Sequence, residues 1–164
     1  MYLTELLNSD HIKEHFDCGQ PLLSRYLQKQ AKQDVKRQLA ACFVILNDHN
    51  EVKGYYTLSN SGIERDLIPA EISKKLPPSY KNLPVTLLGR LARDLKYPNE
   101  RLGELLLLDA LKRSYFASVS IGSMAVVVDP IDDATRNFYL KYGFIDLPDS
   151  GKMFLSMKTV ANLF

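Results

Sequence analysis

The chain has 164 residues, 46% of them hydrophobic, with 21 Lys and Arg against 19 Asp and Glu for a net charge of +2. That length and balance fit a single globular domain spanning 1–164 with a substantial core, and they exclude a disordered or strongly polyionic chain. The mildly basic balance neither requires nor excludes a nucleic-acid partner. No apolar run approaches the roughly 20 residues of a membrane span. Two cysteines, Cys18 and Cys42, behind a polar opening segment point to a reducing, cytoplasmic setting rather than a disulfide framework.

In chain order, Tyr2–Leu6 reads as a short strand or arm, and Phe16-Asp17-Cys18-Gly19 as a turn. Gln20–Lys36 reads as a helix, with Leu22, Leu23, Tyr26, Leu27 and Ala31 on one face. Arg25, Lys29, Lys32, Lys36 and Arg37 fall outward, as a solvated helix face or, alternatively, a nucleic-acid contact. Leu39–Leu46 and Glu51–Ser59 flank the turn cluster Asn47–Asn50 and form a hairpin; within it, Gly54 suits close packing. Residues 60–82 are the least regular, with Pro69, Pro77 and Pro78 and a helical turn at Ala70–Lys75. The role of Glu64 and Asp66 there is unreadable, and a segment of this kind usually covers or lines a site.

The stretch from Leu83 to Leu111 carries the most information. A β-type run, Val85–Leu91, passes through a charged loop, Lys96–Arg101, into an apolar helical run from Leu102. Strand, loop and helix start form either a phosphate cradle or an ordinary βα connection. Ser123–Val128 is an apolar run suited to a strand buried on both faces. Asp132-Asp133 open a helix that Gly143 closes. Phe144–Leu147 and Lys152–Met157 are two last strands joined at Asp149-Ser150-Gly151. Hairpins flanking a central βαβ unit imply a mixed α/β sheet with helices on its faces.

Four of these segments, FDCG (Phe16–Gly19), GYYTLS (Gly54–Ser59), LPVTLLGRLARD (Leu83–Asp94) and DDATRNFYLKYGF (Asp132–Phe144), resemble in order and distance the GCN5-related N-acetyltransferase (GNAT) superfamily. They are most similar to the acetyltransferase toxins of bacterial toxin–antitoxin pairs. The resemblance implies the GNAT fold, a mostly antiparallel central sheet with a βαβ core that binds acetyl-CoA as donor, and no metal. It implies that the backbone at Leu91, Ala92 and Arg93 bonds the pantetheine arm. It further implies that Pro98, Asn99, Glu100, Arg101, Leu102 and Gly103 wrap the pyrophosphate, ahead of a helix beginning near Glu104, and that Asp132 and Phe138 border the cofactor. Tyr139 would be the general acid that reprotonates the departing thiolate.

The usual loop, Gln/Arg-x-x-Gly-x-Gly/Ala, is altered here. Pro98 replaces the polar opener and has no N–H to give, Arg101 replaces the first glycine, and Glu100 adds a negative charge among the phosphates. No dedicated base is evident. His11, His15 and His49 lie outside the matching segments and read as surface residues. The toxin resemblance implies the α-amine of aminoacyl-tRNA as acceptor, with Arg90, Lys29 and Lys36 meeting the substrate. A separate ribbon-helix-helix antitoxin and a homodimer are further implications. The alternatives are an acetyltransferase acting on a small amine or a protein N-terminus, and a GNAT-fold binding protein with a disabled loop.

Overall fold

The computed structural model describes residues 1–164. Seven strands join in the order β1-β2-β3-β4-β5-β7-β6: β1 (Glu5–Leu6), β2 (Ala41–Leu46), β3 (Val52–Glu64), β4 (Asn82–Arg93), β5 (Ala125–Val128), β6 (Ile145–Leu147) and β7 (Lys152–Ser156). β4 and β5 pair in parallel, whereas β1–β2, β2–β3, β5–β7 and β6–β7 are antiparallel, so the expected mixed, mostly antiparallel sheet is present. The parallel pair is bridged by α4 (Leu102–Ser120), which makes the central βαβ unit. No helix is long and apolar enough to cross a membrane. The chain packs as two compact units, Met1–Ser59 with Leu88–Leu111, and Asn60–Leu87 with Lys112–Phe164.

In the first unit the helical region comprises α1 (Pro21–Arg25), a π turn (Tyr26–Gln30) and α2 (Ala31–Lys36), where the sequence predicts one regular helix. Tyr26, Leu27 and Ala31 are buried with Cys42, Val44, Val52 and Tyr55 from β2 and β3. Leu22, expected on that face, is instead 78% exposed, and Ser24 takes the inward place. Ser24 is held there because its hydroxyl accepts from the Cys18 N–H at 3.0 Å. Gly54 is a packing glycine: a Cβ there would lie 2.8 Å from the Leu106 side chain and 3.0 Å from the Ala92 carbonyl oxygen. Both cysteines are free, and burial pushes the Cys42 thiol up to about 12.

His11, expected at the surface, is buried. Its Nδ1 accepts from the Asn8 N–H at 3.1 Å, so Nε2 carries the proton and faces Glu5 at 3.1 Å. Asp109, in the middle of α4, is also buried. It accepts from the Leu3 N–H at 2.7 Å, the Thr4 hydroxyl at 2.6 Å and the Tyr56 hydroxyl at 2.7 Å, which fastens the N-terminal arm to α4 and β3.

In the second unit, Ile63, Ile68, Leu83, Val85, Ala125, Val127, Leu147 and Phe154 form the core. β3 extends five residues past the expected end at Ser59, and β4 runs from Asn82 to Arg93 rather than Val85 to Leu91. The irregular region is therefore shorter than predicted. It comprises a 3-10 turn (Arg65–Leu67) and α3 (Ala70–Ser73), organised around Arg65. That guanidinium donates to the carbonyls of Ser73, Leu76 (2.9 Å), Pro77 (2.7 Å) and Tyr80 (3.2 Å), using the fixed fork of arginine to close a segment with little regular structure. All four β5 residues are buried, as an apolar strand requires. Helix α5 (Asp133–Lys141) is the predicted one, and α6 (Met157–Ala161), capped by Ser156, is an addition.

Removing the Asp109 carboxylate takes away an acceptor shared by the Thr4 and Tyr56 hydroxyls and the Leu3 amide. Asp109→Ala is expected to lower unfolding free energy by about 2–4 kcal/mol, read as a lower urea midpoint, with Asp109→Asn losing less.

Candidate active site

The β4–β5 ladder covers only Thr86–Leu87 against Val126–Val127. β4 itself continues to Arg93, so the β5-side edge of Leu88–Arg93 lies outside that ladder. Backbone N–H and C=O groups on such an edge can pair with another extended chain, including a ligand. Leu91, Ala92 and Arg93, the residues expected to meet pantetheine, lie at the end of this edge, with Ala92 buried and its two neighbours partly exposed.

Asp94 terminates the strand. Its buried carboxylate accepts from the Asp17 N–H at 3.1 Å and the Lys96 N–H at 2.9 Å, while its own N–H donates to the Lys53 carbonyl at 2.8 Å. The Leu95 N–H returns a bond to the Asp17 carbonyl at 2.9 Å, and the Asp17 carboxylate accepts from the Gly19 N–H at 2.9 Å. Two of the four sequence segments, FDCG and the aspartate that ends GRLARD, are thus wired to each other. Gly19 sits at φ +85°, where a side chain is disfavoured.

Beyond Asp94 the chain turns through Tyr97 and Pro98 to α4, which begins at Leu102, two residues before the expected Glu104. Leu105 N–H bonds to the Arg101 carbonyl at 3.1 Å, so the amides of Leu102, Gly103 and Glu104 have no acceptor within the helix. They form the positive end of a helix 19 residues long, suited to an anion. Arg101 occupies φ +53°, the left-handed conformation that glycine takes without cost. The backbone conformation that the missing glycine permits is therefore present, carried by arginine. The Arg101 side chain is 76% exposed and paired with Glu104, and Glu100 is paired with Lys53. The loop acid Glu100 and the first acid of α4, Glu104, thus meet cations of the same unit.

In the second unit, Asp132 caps α5 by accepting from the Thr135 N–H at 2.8 Å, and bonding to Thr135 holds its carboxyl below the usual carboxylate range. The far end closes as a Schellman motif: Gly143 N–H donates to the Leu140 carbonyl at 3.1 Å and Phe144 N–H to the Tyr139 carbonyl at 3.2 Å, with Gly143 at φ +93°. The accompanying apolar contact is Phe144 against Tyr139, with ring centroids 5.1 Å apart. Phe138 packs edge-on against Tyr139 at 5.3 Å. Tyr139 is consequently fixed through its carbonyl and on two sides of its ring, and the glycine and phenylalanine that follow it in sequence serve to place it. It is 5% exposed, and burial raises its phenol above the ordinary tyrosine range, so it is protonated at neutral pH.

The Arg90 guanidinium lies 3.5 Å from the centroid of the Tyr26 ring, and the Tyr26 hydroxyl donates to Asp34 at 2.7 Å. Lys29, in the π turn, and Lys36, at the end of α2, are exposed together with Arg25, Lys32 and Arg37. No group of three or more His, Cys, Asp or Glu is placed to hold a metal. The sequence reading missed Lys53, Asn47 and Tyr97 around the loop, as well as the anchoring role of Asp94. In the sequence, Asp94 figures only as the last residue of GRLARD.

No family model matches the chain. The tRNA-acetylating toxin of Mycobacterium tuberculosis is 35% identical over 144 residues, which are 87% of this chain and 84% of that protein. Among solved structures, a tyrosine-to-phenylalanine mutant of KacT matches with a TM-score of 0.92 at 29% identity, over 98% of both chains. AtaT complexed with acetyl-methionyl-tRNAfMet matches with a TM-score of 0.90 at 28% identity, again over 98% of both. A tyrosine-to-phenylalanine mutant of AtaT bound to acetyl-CoA and the C-terminus of the antitoxin AtaR matches with a TM-score of 0.83 at 25% identity, over 98% of this chain and 96% of that one. The β4 edge, the amides that open α4 and this degree of likeness lead to one conclusion: the chain belongs to the tRNA-acetylating toxin family of GNAT-fold acetyltransferases.

Proposed function

We propose that the chain, as one domain over 1–164, moves an acetyl group from acetyl-CoA to the α-amine of aminoacyl-tRNA and so blocks translation. The observation that carries this is the β4 edge at Leu88–Arg93, outside the β5 ladder and leading directly to the free amides of Leu102–Glu104. An extended pantetheine arm would pair with the backbone of Leu91–Arg93, and the pyrophosphate would meet those amides along Pro98–Gly103. The residues fit an anionic cofactor, since Glu100 in the loop and Glu104 in the first turn of α4 are both paired and Arg101 holds the left-handed backbone. That fit favours an acetyltransferase over a binding protein with a disabled loop.

Acyl transfer here needs a neutral amine, an activated carbonyl and a proton for the leaving thiolate. An α-amine with a pKa of about 8 is partly neutral at pH 7.5. Backbone N–H groups of the β4 edge would polarise the thioester carbonyl and hold it against the amine. When the tetrahedral intermediate collapses, the C–S bond would break, the coenzyme A sulfur would take a proton from the Tyr139 hydroxyl, and the proton shed by the newly acylated nitrogen would return to the Tyr139 phenolate by way of solvent. Burial suits Tyr139 to that role, because it keeps the phenol protonated. Two of the similar toxins were solved with a tyrosine changed to phenylalanine, which supports a tyrosine in this part. Phe138 and Asp132 would border the cofactor beside it. The exposed Lys29 and Lys36, with Arg90, would meet tRNA phosphates. The product is an amide, no longer nucleophilic, which cannot form a peptide bond. We further propose a cytoplasmic homodimer restrained by a separate ribbon-helix-helix antitoxin.

Tyr139→Phe is expected to lower acetyl transfer to aminoacyl-tRNA by about a hundredfold or more while leaving acetyl-CoA affinity unchanged, as measured by single-turnover kinetics and calorimetry. With Tyr139 raised above an ordinary pKa of about 10, kcat/KM should climb as the amine loses its proton toward pH 8 and should show no descending limb below about pH 9. Arg101→Gly relieves an L-residue at positive φ and is expected to raise stability by about 0.5–1 kcal/mol in thermal unfolding. Acetyl-CoA affinity should stay within about threefold, because the backbone path is already in place.

A further inference from the structure

Glu100 lies in the segment that would face the cofactor diphosphate, and an acid there should repel it. Its charge is met from outside the loop by Lys53, on β3, whose Nζ bonds to Glu100 Oε1. The lysine side chain is only 16% exposed, and its ammonium lies 5.0 Å from the centroid of the Tyr97 ring, a cation–π distance. Tyr97 is itself tied down, since its hydroxyl accepts from the Asn47 side-chain amide at 3.0 Å, and the same amide donates to Glu51 at 3.0 Å. Asn47 further closes the β2–β3 turn by accepting from the N–H groups of His49 and Glu51. One lysine thus contacts the loop at two points, Tyr97 and Glu100, from a hairpin whose turn Asn47 closes and ties to Tyr97.

We propose that Lys53 is a positioning residue for acetyl-CoA: it cancels the Glu100 charge beside the diphosphate and pins the Tyr97–Glu100 segment in its binding shape. This rests on the reading of Pro98–Gly103 as the pyrophosphate loop. Without Lys53 the Glu100 carboxylate is left bare toward the diphosphate, and repulsion between like charges weakens binding. The thioester end of the cofactor, which meets the β4 edge, is untouched.

The test compares acetyl-CoA with S-acetylpantetheine, which keeps the thioester arm and lacks the diphosphate. Binding of both is measured for the natural protein, Lys53→Met, and Lys53→Met combined with Glu100→Gln. Lys53→Met should bind acetyl-CoA about five- to tenfold more weakly and S-acetylpantetheine unchanged, the size expected of one partly exposed ion pair with a cation–π contact. Adding Glu100→Gln should recover most of the loss, which a lysine needed only for folding would not allow. Lys53→Met binding acetyl-CoA as the natural protein does, or losing both ligands in proportion, would overturn the proposal. If the natural protein shows no preference for acetyl-CoA over S-acetylpantetheine, the loop reading itself falls, and the role of Lys53 with it.

Discussion

The first unit depends on one buried carboxylate. Asp94 ends β4 and gathers the Asp17 amide, the Lys96 amide and, through its own N–H, the Lys53 carbonyl. A buried carboxylate without donors would be costly, so the three segments around Asp94 must converge for the fold to be stable. That convergence sets where β4 stops, and with it where the loop starts and how α4 is presented. The turn at Phe16–Gly19, nearly 80 residues earlier in the chain, therefore belongs structurally to the loop that follows Asp94.

The second unit solves a comparable placement problem by capping. Tyr139 is the C3 residue of a Schellman motif, so the bonds that end α5 also hold the tyrosine backbone, and Phe144 holds its ring. A glycine at 143 and an aromatic at 144 have a physical reason to travel with the tyrosine. The loop of the first unit shows the opposite economy. There a glycine is gone, yet the left-handed conformation persists at Arg101, and the strain is tolerated because α4 and the Asp94 cluster fix the chain on either side.

Local rules made much of this readable in the sequence. Asp132 as a cap, Gly143 as a stop, the apolar run of β5 and the packing role of Gly54 follow from periodicity and backbone freedom. The β3 extension was hidden because Asn60, Ser61 and Gly62 are polar, exposed and poor strand formers. The organising role of Arg65 could not be seen, since its acceptors are backbone carbonyls that leave no side-chain signature. The pairing of Lys53 with Glu100, 47 residues apart, is equally silent in one sequence. His11 misled for the same reason: a histidine among polar neighbours reads as exposed until the fold supplies Asn8 and Glu5 around it.

The π turn at Tyr26–Gln30 bears on which side of the helical region meets the core and which meets water. Leu23, Leu27, Ala31 and Val35 recur every four residues, and in a regular helix of 3.6 residues per turn such a series drifts by about 40° at each step. All four nevertheless pack on one core, because the wider turn takes up the extra residue and cancels part of the drift. Arg25, Lys29, Lys32 and Lys36, exposed on the same helical region, are spaced by four, three and four residues. At 100° per residue these positions fall within about 60° of one another, so their charges form a file about 16 Å long at 1.5 Å per residue by spacing alone. A straight file of cations can follow a strand of phosphates where a spiral would touch it once. In this chain the underwound turn keeps the apolar series on its core, while the cations line the exposed side of the same helical region.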